Sequence, residues 1–130
     1  MVDLYSQYKN IKDEIDQSMQ EVIRSSVFVK GGKVNEFEDN LKEYLDVKHV
    51  ISCGNGTDAL QIALMALDLN EGDEVITTPF TFISTLEVLA LKKLKPVLVD
   101  VDSGSFNIRP DLVSNHIDHL TKAIVPVHLY

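Results

Sequence analysis

Cys53 to Leu60 read CGNGTDAL. Two glycines leave the backbone uncovered where a short apolar run gives way to a helical pattern. Thr57 is a good helix N-cap residue. The first N–H groups of the helix it would open have no internal partners and carry the positive end of the helix dipole. Gly56, Thr57 and Asp58 together offer a ready site for a phosphate or carboxylate. On the residues alone, a tight strand–helix turn that needs glycine for its geometry explains the motif equally well. It is not a nucleotide P-loop, because no Gly-Lys-Ser/Thr follows, and it lacks the third glycine of the dinucleotide fingerprint. Asp58 would repel a bound phosphate unless the anion takes only backbone N–H groups while the carboxylate turns aside or serves the helix dipole.

A second stretch, TPFTF (Thr78 to Phe82), places two aromatics at the end of another apolar run. An aromatic face there can stack on a flat heterocycle. For either ring taken singly, core packing is the better expectation. Position favours Phe82, which opens a helix where a ring anchored by its phosphate at Gly56 and Thr57 would lie against it. Other groups carry less. Asp100 and Asp102 flank Val101 at a strand end and read as solvated loop carboxylates. His128 reads as a core histidine, and His116 and His119 as surface residues. Cys53 has no basic neighbour in sequence to lower its pKa and reads as a small buried thiol. No metal-ligand spacing is present.

The elements that must position these residues follow from periodicity. Leu4, Tyr8, Ile11, Ile15, Met19, Val22 and Ile23 recur at helical steps and predict one amphipathic helix over about Asp3 to Arg24. Gly31 and Gly32 interrupt it. A second helix starts at about Val34, with Val34, Phe37, Leu41, Tyr44 and Leu45 on one face. The period then changes. Short β-branched runs predict strands near His49–Cys53, Glu74–Thr78, Pro96–Asp100 and Ala123–His128. Helical patterns separate them, and Pro110 sits at a first-turn position. This alternation predicts a mainly parallel sheet with helices on both faces, an α/β fold. In such sheets ligands sit beyond the carboxyl ends of the strands. The predicted division is an N-terminal helical segment, 1–46, followed by the βα units, 47–130.

Bulk properties narrow the function classes. The 130 residues amount to about one domain. A net charge of −8 with ten scattered lysines and two arginines argues against a nucleic-acid surface. The single cysteine rules out an internal disulfide and suits a reducing compartment. There is no apolar run long enough for a membrane span and no secretory pattern at the N-terminus. A cytoplasmic protein without membrane or nucleic-acid partners is expected.

GNGTDALQIAL, GDEVITTPFTFIST, KPVLVDVDSGSFNI and KAIVPVHLY, in this order and spacing, closely resemble the DegT/StrS-type nucleotide-sugar aminotransferases. FVKGGKVNEFE and VDLYSQY add to the likeness, which covers the whole chain. The resemblance implies the aspartate-aminotransferase fold (PLP fold type I), the cofactor pyridoxal 5'-phosphate (PLP), and a homodimer with the site between subunits. It implies that the backbone of Gly56, Thr57 and Asp58 holds the PLP phosphate and that Phe82 stacks on the pyridine ring. The loop at Phe28 to Gly32 would lie near the sugar substrate, with Phe28 and Gly31 as its contacts. The implied reaction moves an amino group from an amino acid, glutamate, to a keto group of a nucleotide-linked sugar. Family members are much longer than this chain, and none of the ten lysines stands in a stretch matching their Schiff-base motif. That lysine, and the aspartate facing the ring nitrogen, are expected beyond Tyr130. The chain is therefore expected to be the N-terminal part of the large, PLP-binding domain and inactive alone. Two alternatives remain: a PLP-dependent sugar dehydratase of the same fold, and a small non-enzymatic α/β module for a phosphate ligand or a partner.

Overall fold

In a computed structural model that describes residues 2–129, the chain forms two compact units, Met1–Ser52 and Cys53–Tyr130. The first is helical. Asp3 opens α1 (Leu4–Asn10), its Oδ1 accepting the Ser6 N–H at 3.0 Å. The single helix expected over Asp3 to Arg24 is in fact two, because Ile11 leaves helical geometry (φ −122°, ψ 20°) between α1 and α2 (Lys12–Ser25). Side chains hold the break. The Tyr8 hydroxyl donates to Asp16 at 2.9 Å, and Lys12 pairs with the other oxygen of that carboxylate. Helix α2 ends at Ser26, in the left-handed region. Gly31 then caps α3 (Gly32–Leu45), which ends at Asp46. None of the three helices has a buried residue. Their apolar faces form as the periodicity dictates and stay largely uncovered.

The second unit holds α4 (Gly56–Met65), β1 (Glu74–Thr77), α5 (Ser84–Leu91), β2 (Lys95–Leu98), α6 (Pro110–His116) and β3 (Thr121–Ile124). The three strands are parallel in the order β2-β1-β3. The central strand β1 is wholly buried, as expected for a β-branched run covered on both faces. Alternation splits the core in two. Val75 packs with Leu64 of α4 and with Val88 and Leu89 of α5 on one face. Ile76 packs with Val99 and with Val113 of α6 on the other. Helices thus cover both faces of a parallel sheet. Fully burying each of these aliphatic side chains is worth about 1.5–3 kcal/mol. Just before β1, Gly72 takes φ +89°, a region a side chain would strain.

The strand expected at His49–Cys53 is absent. These residues carry no ladder, and Ile51 is 77% exposed. A strand exists only through a hydrogen-bonded neighbour, and this segment bonds elsewhere. The Ser52 N–H and hydroxyl both donate to Glu38 Oε1 of α3, at 2.9 and 2.7 Å. Those two donors hold the Glu38 carboxyl below the usual glutamate range. The other strands are shorter at their carboxyl ends than their apolar runs. Beyond Ile124 the ladder stops, although Val125 still donates to the Ile76 carbonyl at 2.8 Å.

Candidate functional site

The glycine turn is built around a capping residue other than the expected threonine. Thr57 is not the N-cap. Asn55 is, with extended backbone (φ −167°, ψ 178°) and its Oδ1 accepting the Asp58 N–H at 3.0 Å. Helix α4 therefore begins at Gly56. The Asn55 Nδ2 donates to Asp58 Oδ2 at 3.0 Å, closing a two-way cap. The local signal was present: an Asn three residues before an acid, ahead of an apolar run.

This cap changes what an anion can use. The Asp58 N–H is occupied, and the Ala59 N–H bonds back to the Asn55 carbonyl at 3.1 Å. The N–H groups of Gly56 and Thr57 have no partner among the described residues. The Asp58 carboxylate turns towards Asn55 and Gly54.

The two glycines differ. A Cβ on Gly54 would stand 2.7 Å from Asp58 Oδ2, so Gly54 makes room for the folded-back carboxylate. A Cβ on Gly56 would meet nothing within 4 Å, and its φ is not positive. Neither backbone geometry nor internal packing explains the glycine at 56.

Phe82 follows the end of β1 and is 75% exposed. In this chain it is not a core residue. Its loop is stapled on either side. The Phe80 N–H donates to Thr78 Oγ1 at 3.2 Å, and the Thr81 and Thr85 hydroxyls bond at 2.9 Å. Phe80 stacks on Phe106, with centroids 5.3 Å apart. Of the two rings in TPFTF, one is thus engaged and the other is free. Thr57 opens on a groove of about 560 Å³ shared with Glu87, Ala90 and Leu91 of α5. Phe82 does not line that groove, so the structure does not bring Thr57 and Phe82 onto one surface cleft.

Phe28 and Gly31 lie in the first unit. They share a groove of about 480 Å³ with Val27, Lys33 and Glu21. Gly31 has a packing reason to be glycine, since a Cβ would sit 2.7 Å from the Val27 carbonyl oxygen. Lys33 bonds Glu21 and Glu36, each at 3.2 Å, and these carboxylates raise its pKa.

Several sequence expectations are corrected. Cys53 is exposed rather than buried, its thiol 3.4 Å from the Asn55 carbonyl oxygen, because no strand carries it into a core. His128 is exposed and lies past the end of β3, not within a core. Asp100 and Asp102 are loop carboxylates as expected. Asp102 accepts the N–H groups of Ser105 and Gly104, which hold its pKa below the aspartate range.

Comparison with known proteins bears on this arrangement. A family model described as the DegT/DnrJ/EryC1/StrS aminotransferase family matches residues 9–130. The chain is 48% identical, over 99% of its length and 36% of the relative's, to a UDP-2-acetamido-2-deoxy-3-oxo-D-glucuronate aminotransferase of Pseudomonas aeruginosa. It is also 48% identical, over 100% of its length and 35% of the relative's, to a pleiotropic regulatory protein of Geobacillus stearothermophilus. The solved structure of NtdA from Bacillus subtilis with bound cofactor PMP superposes with a TM-score of 0.87 at 37% identity, over 93% of this chain and 28% of that one. The chain thus spans about a third of the length of the curated relatives it matches.

Proposed function

The chain belongs to the DegT/DnrJ/EryC1/StrS aminotransferase family, and from that premise we propose that it forms the phosphate-binding part of a PLP-dependent nucleotide-sugar aminotransferase. The observation that carries the reading is Gly56. It is a glycine with no internal reason to be one, beside two unpartnered N–H groups at the start of a ten-residue helix. The N–H groups of Gly56 and Thr57 hold the cofactor phosphate, aided by the helix dipole. The Asp58 N–H, expected to join the cradle, is already given to Asn55, and the Asn55 amide holds the Asp58 side chain. The exposed face of Phe82 stacks on the pyridine ring. Phe28 and Gly31 serve the sugar side.

When bound, PLP carries the amino group between the two substrates and drains electrons from the carbon that loses its proton. The lysine that holds the cofactor aldehyde, and the acid facing the ring nitrogen, belong to the part of the relatives' length that this chain does not match. Glutamate is the amino donor, a nucleotide-linked keto sugar the acceptor, and the active unit a cytoplasmic homodimer. The PMP bound in the Bacillus subtilis structure, the amine form of PLP, supports the cofactor, and the name of the Pseudomonas aeruginosa relative supports the acceptor class.

The test is to incubate the full-length protein with PLP, glutamate carrying heavy nitrogen, and a UDP-linked keto sugar, and to weigh the products. One heavy nitrogen gained by the sugar for each oxoglutarate formed is expected. A sugar that loses water without gaining nitrogen would establish the dehydratase instead. No change in either substrate, with the protein folded, would favour the non-enzymatic module.

A further inference from the structure

Phe106 sits at φ +58°, in the left-handed region. A bulky side chain is a genuine outlier there, while glycine or asparagine takes the same angles cheaply. The loop forces the conformation. Asp102 accepts from Gly104 at 3.0 Å and Ser105 at 2.8 Å. Its carbonyl accepts the Phe106 N–H at 2.8 Å, and its own N–H donates to the Asn107 carbonyl at 2.9 Å. A bridge between Val101 and Ile108 closes the base. The turn therefore over-determines a backbone that phenylalanine itself disfavours, so the ring needs a reason of its own.

Core burial is a poor reason. Phe106 is 41% exposed and its stacking partner Phe80 46% exposed. What the stack does is fix Phe80, the residue two before Phe82. Together with the Thr78–Phe80 and Thr81–Thr85 bonds, it pins the loop on both sides of the free ring.

We propose that Phe106 is a positioning residue: through Phe80 it holds the 78–83 loop so that Phe82 presents its face to a flat heterocycle. The last clause rests on the cofactor reading above; the pinning of the loop does not. An aromatic pair of this kind is worth about two- to tenfold in an equilibrium.

The full-length protein tests this with three variants. Phe106→Leu removes the ring but keeps apolar bulk, Phe106→Gly removes both ring and backbone strain, and Phe106→Tyr keeps the ring. Limited chymotrypsin digestion of the cofactor-free protein, read as cleavage after Phe82, reports the loop. Titration with PLP reports the ring face, and the apo melting temperature reports packing. Cleavage after Phe82 should quicken roughly two- to tenfold in Phe106→Leu and Phe106→Gly, PLP affinity should fall by a similar factor, and Phe106→Tyr should restore both. A lower melting temperature with unchanged cleavage after Phe82 would overturn the proposal while leaving the cofactor reading intact. Faster cleavage with unchanged PLP affinity would overturn the role given to Phe82. A wild-type protein that binds no PLP, yet shows the digestion pattern, would sink the cofactor reading and keep the pinning of the loop.

Discussion

Gly54 and Gly56 are both glycine, for different reasons. The first gives way to the Asp58 carboxylate, and the second faces open space. The difference separates two substitutions that sequence alone treats alike. Gly54→Val drives a methyl group into Asp58 and should lower the melting temperature. A Cβ at Gly56 meets no protein atom, so Gly56→Val should leave the apo fold near wild type, apart from a helix-propensity change well under 1 kcal/mol. It should nevertheless reduce the PLP retained after gel filtration, whereas Cys53→Ala should not. Equal retention by Gly56→Val and Cys53→Ala would remove the cofactor role from Gly56. At this scale the sequence shows which residues stand near the turn, but not how they divide the work. Thr57 looked like the cap because threonine caps helices well. The structure gives that task to Asn55, two residues earlier, and frees the Thr57 N–H. Phe82 was ambiguous between core and surface because a ring type carries no orientation. Its exposure follows from the stapling of its neighbours, and the Phe80–Phe106 stack joins residues too far apart in sequence for any pattern to show.

The start of α4 depends on one side chain working in both directions. Asn55 accepts the Asp58 N–H and donates to its carboxylate. Asn55→Ala should cost about 1 kcal/mol, read as a lower denaturant midpoint at unchanged slope. Asn55→Ser, which still offers a capping oxygen, should recover most of it. Equal loss in both variants would mean that the Asn55–Asp58 amide contact, not the cap, carries the energy. At the element scale the period changes were legible, and with them the parallel sheet and its two covered faces. Val75 and Ile76 alternate to opposite sides, as any strand must. Two errors have physical causes. A β-branched run needs a ladder partner to be a strand, and His49–Cys53 bonds to Glu38 instead. A continuous apolar stripe says nothing of a local break, so the interruption at Ile11, braced by Tyr8, Lys12 and Asp16, was invisible.

As a whole, residues 2–129 place a modest core around β1 in the second unit and no buried helix residue in the first. The family was legible because its motifs recur in order along the chain, and the match over residues 9–130 agrees. The activity was not, because the chain matches only about a third of the relatives' length. On the proposed reading, labour is divided: this region supplies the phosphate cradle and a ring face, and the covalent attachment of the cofactor lies elsewhere in the protein. Borohydride reduction of the PLP-loaded full-length protein, followed by peptide mapping, locates the attached lysine directly. Stoichiometric label is expected on a lysine outside residues 1–130, with at most scattered partial label on the ten within them. Full labelling of a single one of those ten lysines would contradict it.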